Sequence, residues 1–533
     1  MAGWNFADVW EAIADAQPDA PAQVHGAQRA TWADFDGRAD GLALALLDRA
    51  GLEQGDKVAT YLYNCPEYME LSYAAMKVGA VPVNTNYRYR EDELAYLWDN
   101  ADAVAVAFHG AFADRVDGVR GRVPRVALWL WVDDGSGPCP RWAVPYEEAA
   151  APPEARVIAP WGRSEDDLIF IYTGGTTGMP KGVMWRHDDL YRLSNIADHP
   201  DDADLDAVVG SLHRSAHAGI PACPLMHGTG FLIALSVLSA GGCNVTLDNH
   251  KLDVPGLFDA VEREGVARLG IVGDAFGRPM LAALDEHPGR WDLSCLRILI
   301  SSGAMFSEPV KKGILGHLSD LLIADLLGSS EALGVGASIS GGNGTKETAR
   351  FRPGKGTRVV TDDGRLVEPG SGEVGMLAVG GPTSLGYYKD VDKTERTFRV
   401  VDGARYLVPG DFATLEADGS IRLLGRGSVC INTGGEKVFP EEVEEALKVH
   451  PGVADAVVVG IPDERFGQAI CAVVELVDGA ATDEDALVAH VKARLAGYKA
   501  PRLVWIRDSV GRSPNGKADY PGLTKEASER FGA

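Results

Sequence analysis

Residues 168–182 read Leu-Ile-Phe-Ile-Tyr-Thr-Gly-Gly-Thr-Thr-Gly-Met-Pro-Lys-Gly, and this stretch decides the fold. The apolar run from Leu168 to Tyr172 is typical of a buried strand. The loop that follows consists mainly of glycine and threonine and leads to Lys181. Backbone N–H groups, hydroxyls and an ammonium in such a loop can converge on phosphate oxygens, because glycine lets a ligand approach the backbone. The stretch therefore predicts a strand that leads into a loop for a nucleoside triphosphate.

Two common phosphate-binding patterns do not fit this loop. The Walker pattern requires Gly-Lys-Ser/Thr, whereas here Pro180 precedes Lys181 and Gly182 follows it. The dinucleotide pattern Gly-x-Gly-x-x-Gly does not occur between Gly174 and Gly182. Taken alone, the loop could also be a simple turn, so other motifs must show whether it binds a nucleotide.

Composition restricts the class of protein. The chain has 533 residues, 46% of them hydrophobic, and a formal net charge of -25. This charge argues against nucleic acid or anionic membranes as partners, because the overall field repels polyanions. The chain has no signal-type N-terminus and no apolar run of about 18 residues. Its seven cysteines are scattered without metal-site spacing. We therefore expect a cytoplasmic protein with reduced thiols and no integral membrane segment.

The order of elements predicts an α/β fold. Apolar runs indicate strands at 58–63, 81–83 and 104–108, with helices at 66–78 and 91–99 between them. This alternation favours mostly parallel sheets with flanking helices. The strongest candidate boundary lies at residues 424–428. We predict a large N-terminal domain, residues 1–426, and a small mobile α+β C-terminal domain, residues 427–533.

The C-terminal unit has its own element pattern. Pro440 suits the first turn of a helix, and strands are expected near 456–459 and 472–476. Thr482 and Asp485 resemble a capping box that opens a helix ending near Leu495. About a hundred residues suffice for an independent domain.

The pattern Tyr-Thr-Gly-Gly-Thr-Thr-Gly-x-Pro-Lys-Gly resembles the signature of the adenylate-forming superfamily of acyl-CoA synthetases, luciferases and peptide-synthetase adenylation domains. Gly174 stands where this family usually has serine. The resemblance covers nearly the whole chain, and in its motifs the chain is most similar to actinobacterial CoA ligases for fatty acids and steroid side-chain carboxylates. It implies that ATP is bound by the loop residues Thr173, Gly174, Gly175, Thr176, Thr177, Gly178 and Lys181.

Further segments resemble the family's nucleotide site. Residues 325–331 resemble its Tyr-Gly-x-Thr-Glu motif, which implies that Glu331 holds Mg2+ and that Ser330 contacts the α-phosphate; Thr173 is a second candidate metal ligand. Leu327 stands where an aromatic residue usually packs on adenine. The same resemblance implies a ribose contact for the carboxylate of Asp411. Its other implied ATP-binding residues are Gly303, Ala304, Gly328, Ser329 and Arg426.

The segment 511–517 resembles the family's Pro-x-x-x-Asn-Gly-Lys ending and implies that Lys517 is the catalytic lysine of adenylation, with Glu331 as the second catalytic residue. Negative charge builds up on the α-phosphate and on the departing pyrophosphate, so an ammonium and Mg2+ stabilise the transition state. No covalent nucleophile is required.

Two more segments concern the other substrates. Residues 432–437 resemble the loop that lines the pantetheine path of CoA, which implies CoA contacts for Gly434, Gly435 and Lys437. Relatives rotate the small domain about an Asp or Lys at the position of Ser428, which makes Ser428 the candidate hinge.

Residues 224–231 resemble the family's acyl-site segment, with His227 lining the pocket and Phe231 at a tunnel gate. A purely structural histidine is an equally good interpretation of His227. Gly273 lies in a segment of small residues where many fatty-acid relatives are bulkier, which favours a wide pocket.

These motifs predict an ATP-dependent acyl-CoA synthetase that uses Mg2+, ATP and CoA on a medium or long fatty acid or a bulky steroid-type carboxylate. Alternatives are an acyl-AMP ligase that loads a carrier protein, a luciferase-like oxygenase, and a sensor that binds nucleotide without turnover. We expect small-molecule partners, and the family makes a homodimer plausible.

Overall fold

The computed structural model describes residues 3–173, 179–195, 204–215, 217–342, 344–401, 403–426, 429–433, 436–463, 466–513 and 516–532. Within these residues the strands form three sheets, here called sheet I, sheet II and sheet III. The architecture is mixed α/β, with a large sheet-rich N-terminal part and a smaller C-terminal part, as the sequence predicts.

Sheet I contains the strand that precedes the loop predicted to bind phosphate. Its strand order is β19-β9-β8-β4-β3-β5-β6-β7 among the described residues. The run from β8 to β7 is parallel, and β9 returns antiparallel to β8. Its strands are β3 (Lys57–Tyr61), β4 (Val81–Asn84), β5 (Ala103–His109), β6 (Leu128–Val132), β7 (Val144–Pro145), β8 (Leu168–Thr173), β9 (Lys181–Arg186) and β19 (Gly386–Tyr387).

Most helices of the first 215 residues pack on this sheet, whereas the first packs on the second and third, and the eighth packs on the first. Helix α2 shows why such segments fold locally: Thr31 and Asp34 form a capping box at its start, and Gly51, with a φ of 60°, ends it in the left-handed conformation. The helices are α1 (Phe6–Ala16), α2 (Trp32–Ala50), α3 (Pro66–Lys77), α4 (Glu91–Asn100), α5 (Ala113–Arg120), α6 (Tyr146–Ala149), α7 (His187–Asn195) and α8 (Leu205–Ser215).

Sheet II is the larger sheet. Strands β1, β11, β10, β12, β13 and β14 run parallel, and the antiparallel strand β15 leads into the remaining antiparallel strands. Its strands are β1 (Pro21–His25), β2 (Gln28–Thr31), β10 (Gly219–Pro221), β11 (Asn244–Thr246), β12 (Arg268–Ile271), β13 (Ile298–Ser302), β14 (Leu322–Leu327), β15 (Gly336–Ser340), β16 (Arg350–Pro353), β17 (Thr357–Val360), β18 (Val374–Gly380), β20 (Phe398–Val401), β21 (Ala404–Leu407), β22 (Asp411–Leu415) and β23 (Ile421–Arg426). The accompanying helices are α9 (Gly228–Ser239), α10 (Val254–Glu264), α11 (Gly273–Glu286), α12 (Glu308–His317) and α13 (Val391–Thr397).

Sheet III belongs to the C-terminal part. The long antiparallel pair β26 and β27 forms its centre, and β28 adds to β27 in parallel. The elements are β24 (Ile431–Thr433), β25 (Glu436–Val438), α14 (Pro440–Lys448), β26 (Val453–Asp463), β27 (Gly467–Leu476), α15 (Glu484–Lys492), β28 (Leu503–Ile506) and α16 (Tyr520–Phe531). The domain division between residues 426 and 427 stays a prediction.

A buried ionic cluster joins the helices behind sheet I. The Lys77 side chain is fully buried, and its ammonium lies 2.7–2.9 Å from the carboxylates of Glu11, Asp36 and Asp40. A buried charge requires such partners, because its desolvation is otherwise very costly. The cluster therefore holds α1, α2 and α3 together and lies apart from the site described below.

Within the described residues, no two cysteines are joined by a disulfide bond. Over the described ranges, none of the helices has the length and the apolar composition that crossing a bilayer requires.

Candidate functional site

A cavity of about 1660 Å³ lies where sheets I and II meet the C-terminal part. Residues of the N-terminal part and of the C-terminal part line this cavity, and the C-terminal lining includes a segment after residue 510. It brings together ten of the predicted site residues, namely Thr173, His227, Gly303, Ala304, Gly328, Ser329, Ser330, Glu331, Asp411 and Lys517. The binding roles of these residues stay predictions.

The loop predicted to bind phosphate connects two antiparallel strands. Thr173 ends β8 and lies opposite Lys181, the first residue of β9. The Lys181 ammonium pairs with the carboxylate of Asp390, and this hydrogen bond lowers the pKa of Asp390. Lys181 is therefore held at the base of the loop by an acidic partner. Loop residues Gly174, Gly175, Thr176, Thr177 and Gly178 lie outside the described residues.

Asn84 fixes the entrance to this loop. At the end of β4, its side-chain amide accepts a hydrogen bond from the Tyr172 N–H at 2.6 Å and donates to the carbonyls of Tyr172 and Met226 at 2.9 and 2.6 Å. It therefore ties the residue before Thr173 to the residue before His227. The motifs gave no indication of Asn84, although a polar residue at the carboxyl end of a parallel strand is a general signal for a site.

A tight turn after β14 presents Glu331. The Ser329 hydroxyl accepts hydrogen bonds from the N–H groups of Glu331 and Ala332, and the Trp185 indole donates to the Ser330 carbonyl at 2.8 Å. The Tyr387 hydroxyl donates to Oε1 of Glu331 at 2.6 Å. Tyr387 thus orients the carboxylate in the cavity wall.

Asp325 lies below this turn and also lines the cavity. Burial raises its pKa to about 7, although the nearby Lys311 opposes the shift. The Lys311 ammonium is fully buried and lies 3.6 Å from Oδ2 of Asp325. This pair supports the strand that leads to Glu331.

Gly303 and Asp411 form other parts of the wall. Gly303 has a φ of 90°, which only glycine adopts without strain, and a Cβ added there would lie 3.4 Å from the hydroxyl oxygen of Thr229. Asp411 begins β22 and pairs with Arg426 of β23 through the backbone. The side chain of Arg426 lies outside the described residues.

His227 stands at the start of α9 and lines the cavity. Burial, followed by the charges of Lys517 and Arg88, lowers the pKa of His227 to about 3. The imidazole is therefore neutral at pH 7. The cationic side chain of Lys517 acts on His227 although the two residues come from different parts of the chain.

The two other residues predicted for the acyl site do not line this cavity. Phe231 is buried beside Tyr68, with ring centroids 6.2 Å apart, and borders a small separate void. Gly273 is buried with a φ of 51°, and a Cβ there would overlap the Met305 carbonyl. Val272 and Ala275 line the cavity instead. The acyl roles of Phe231 and Gly273 stay predictions.

Lys517 reaches the cavity through a close contact between the two parts of the chain. A Cβ on the preceding residue, Gly516, would lie 2.9 Å from Cβ of Ala275 and 3.4 Å from Cγ1 of Val272. Glycine therefore permits the C-terminal loop to lie directly on the start of α11. The contact places Lys517 in one cavity with Glu331 and Asp411.

The predicted hinge and CoA loop lie largely outside the described residues. Ser428, Gly434 and Gly435 lie outside the described residues, and so does the side chain of Lys437. Their roles stay predictions.

Sequence comparison extends these observations. The model of the AMP-binding enzyme family matches residues 10–388, and the AMP-binding enzyme C-terminal domain matches residues 442–517. A medium/long-chain-fatty-acid--CoA/3-oxocholest-4-en-26-oate--CoA ligase from Mycolicibacterium smegmatis is 40% identical over 99% of this chain and 97% of its own length. A 3-oxocholest-4-en-26-oate--CoA ligase from Rhodococcus rhodochrous is 40% identical over 97% of this chain and 94% of its own length.

Structural comparison gives the same picture of the fold. ATP-bound MatB from Rhodopseudomonas palustris has a TM-score of 0.82 at 25% identity, with 98% of this chain and 99% of that chain covered. The anthranilate CoA ligase AuaEII in complex with anthranoyl-AMP has a TM-score of 0.85 at 20% identity, with 100% and 99% covered.

Proposed function

Because the chain belongs to the family of AMP-binding enzymes, we propose that it is an ATP-dependent carboxylate:CoA ligase. In the first half-reaction a carboxylate oxygen attacks the α-phosphorus of ATP, and pyrophosphate leaves. In the second, the CoA thiolate attacks the acyl carbon and AMP leaves. The observation that carries this proposal is the cavity that Lys517 of the C-terminal part shares with Glu331 and Asp411.

Lys517 acts in the first half-reaction. The α-phosphate gains negative charge as the carboxylate oxygen approaches, and an ammonium fixed beside it stabilises that charge more in the transition state than in the ground state. His227 is neutral at pH 7 and therefore adds no competing positive charge for the carboxylate substrate. The enzyme needs no covalent intermediate on its own side chains.

The donor set of the cavity also fits Mg2+. Glu331 supplies a carboxylate and Thr173 a hydroxyl, and both line the cavity. Oxygen ligands of this kind suit a hard cation that enters with the phosphates of ATP. When bound, Mg2+ supplies charge neutralisation of the phosphate oxygens. Tyr387 keeps the Glu331 carboxylate oriented for this task.

The acyl group binds in the cavity beside α9. Thr229, Leu232, Ile233, Ser236 and Val237 lie along one face of α9 and line the cavity, as do Val272 and Ile300. A ligand pocket usually measures roughly 300–1000 Å³, so 1660 Å³ leaves room for a nucleotide and a large acyl group together. With relatives named for medium/long-chain fatty acids and 3-oxocholest-4-en-26-oate, we assign the substrate to medium or long fatty acids or bulky steroid-type carboxylates.

A screen of carboxylates tests the proposal. Short, medium, long, aryl and steroid acids are each incubated with ATP, Mg2+ and CoA, and pyrophosphate, AMP and acyl-CoA are measured. We expect acyl-CoA formation with medium, long or steroid acids and its loss in Lys517→Ala. Acyl-AMP that accumulates without transfer to CoA would support a ligase for a carrier protein instead, and ATP binding without pyrophosphate release would support a sensor.

The proposal also covers location and assembly. The seven cysteines are scattered along the sequence without metal-site spacing, and on this basis we propose that the enzyme is cytoplasmic. A homodimer is part of the proposal by analogy with the family, and light scattering of the purified protein would test it.

A further inference from the structure

Arg512 contacts the backbone next to the proposed catalytic lysine. Its Nη1 donates a hydrogen bond to the Gly516 carbonyl at 3.1 Å, and Lys517 is the next residue. Its Nη2 donates to the Ala456 carbonyl at 3.2 Å. One guanidinium therefore links the loop that carries Lys517 to β26 of sheet III.

The carboxylate of Asp455 holds this guanidinium in place. Nε and Nη2 of Arg512 lie 2.5 and 3.1 Å from the two oxygens of Asp455, and Nζ of Lys448 lies 3.2 Å from Oδ1. Burial opposes ionisation of Asp455, but Lys448 and Arg512 outweigh it and lower the pKa of Asp455 to about 2. The pair is therefore ionised and rigid at neutral pH, since a fork of two parallel hydrogen bonds fixes direction as well as distance.

Ser513 closes the loop on its other side. Its N–H and its hydroxyl both donate to the Lys517 carbonyl at 2.9 Å, and the Gly516 N–H donates to the Ser513 carbonyl at 2.8 Å. The Gly516 carbonyl, which precedes Lys517, and the carbonyl of Lys517 itself are thus both held by hydrogen bonds from neighbouring residues.

We propose that Arg512, oriented by Asp455, is a positioning residue that sets the direction in which Lys517 enters the cavity during adenylation. This inference rests on the proposed function and deepens it. Arg512 also lines the cavity, and on this proposal it acts through Lys517. Lysine cannot replace it, because an ammonium lacks the planar fork that reaches a carboxylate and two carbonyls at once.

The test compares Arg512→Lys with Arg507→Lys, a matched control whose guanidinium pairs with Glu526 on the exposed side of the same part of the chain. Adenylation is measured by single-turnover acyl-AMP formation, and thiolation by transfer of added acyl-AMP to CoA. A displacement of about 1 Å at a reacting group commonly costs on the order of a hundredfold in rate. In Arg512→Lys we expect a tenfold to hundredfold lower rate constant for acyl-AMP formation, an unchanged half-saturating ATP concentration, and thiolation within twofold of the parent. Arg507→Lys should change none of these values.

A double variant tests whether Arg512 acts through Lys517. In the Lys517→Ala background, Arg512→Lys should cause no further loss of adenylation, because the positioned group is already gone. Asp455→Asn provides an independent variant with the same expected split between half-reactions if Arg512→Lys does not fold.

Three outcomes would overturn the inference. Parent-level adenylation in Arg512→Lys, or equal losses in both half-reactions, would show that Arg512 does not position Lys517. A further loss of adenylation when Arg512→Lys is added to Lys517→Ala would show that it acts by another route. Parent-level adenylation in Lys517→Ala would instead contradict the proposed role of Lys517 itself. Failure of the Arg512 inference and failure of the proposed function therefore give different results.

Discussion

Gly516→Ala should block the approach of Lys517 to the cavity. The added methyl group would lie 2.9 Å from Cβ of Ala275, which is closer than real Cβ contacts, and 3.5 Å from the Val272 carbonyl. The φ of Gly516 is 73°, so alanine there also adds backbone strain of about 1–2 kcal/mol. Overpacking of this kind costs roughly 1–3 kcal/mol, which corresponds to about a 5- to 150-fold slower adenylation step.

Gly511→Ala is the matched control. Gly511 lies in the same loop with a φ of 69°, but nothing lies within 4 Å of its Cβ position. The two variants therefore share the backbone strain, and only Gly516→Ala adds the contact with α11. We expect rapid-quench measurements to show slow acyl-AMP formation in Gly516→Ala alone, with thiolation of added acyl-AMP near the parent rate. Ala275→Gly should restore part of the adenylation rate in Gly516→Ala. Equal adenylation rates in the two glycine variants would refute the reasoning.

Other predictions concern Glu331, histidine titration and the buried lysine. Tyr387→Phe removes the hydrogen bond to the Glu331 carboxylate, and such a bond to a charged group is worth about 1.5–3 kcal/mol. This variant should form acyl-AMP more slowly and need a higher Mg2+ concentration for half-maximal adenylation. In the control Tyr388→Phe, which loses a hydrogen bond to Asp102, neither quantity should change. Burial lowers the pKa of His187 to about 3, whereas in the unfolded chain this histidine binds a proton near pH 6.5. Protonation therefore favours the unfolded chain, and thermal melts should show that Tm falls as the pH drops from about 6.5 towards 3. In His187→Leu this fall in Tm should be smaller, and an equal fall would contradict this account. Lys77→Met should lower the free energy of unfolding by about 3–5 kcal/mol in urea titration, whereas an unchanged value would mean that the buried acids need no cation.

Much of the fold follows from the sequence, because apolar periodicity reports which face of an element is buried. The alternation predicted for residues 58–108 is confirmed with small shifts, for example in Lys57–Tyr61 and Ala103–His109. The capping prediction at Thr482 was wrong by one residue. Asp483 is the N-cap of α15 and accepts a hydrogen bond from the Ala486 N–H. Neighbouring threonine and aspartate both suit an N-cap, so the sequence alone does not separate them.

The site was predictable only where motifs mark it. Motifs gave Glu331 and Lys517, and the structure places both in one cavity. Their supporting residues were missed, because Tyr387 lies 56 residues from Glu331 and Asp455 lies 57 residues from Arg512. Such pairs arise from tertiary packing. Phe231 shows a second limit: α9 is apolar on most of its surface, so periodicity does not reveal which residues face the cavity.

The central claim is that a carboxylate oxygen attacks the α-phosphorus of ATP. The most direct measurement uses a carboxylic acid labelled with ¹⁸O on both oxygens, with ATP, Mg2+ and CoA, and mass spectrometry of the AMP produced. The attacking oxygen stays on phosphorus when the CoA thiolate displaces AMP, so the account predicts one ¹⁸O atom in each AMP. Unlabelled AMP, or label in inorganic phosphate together with ADP, would contradict it.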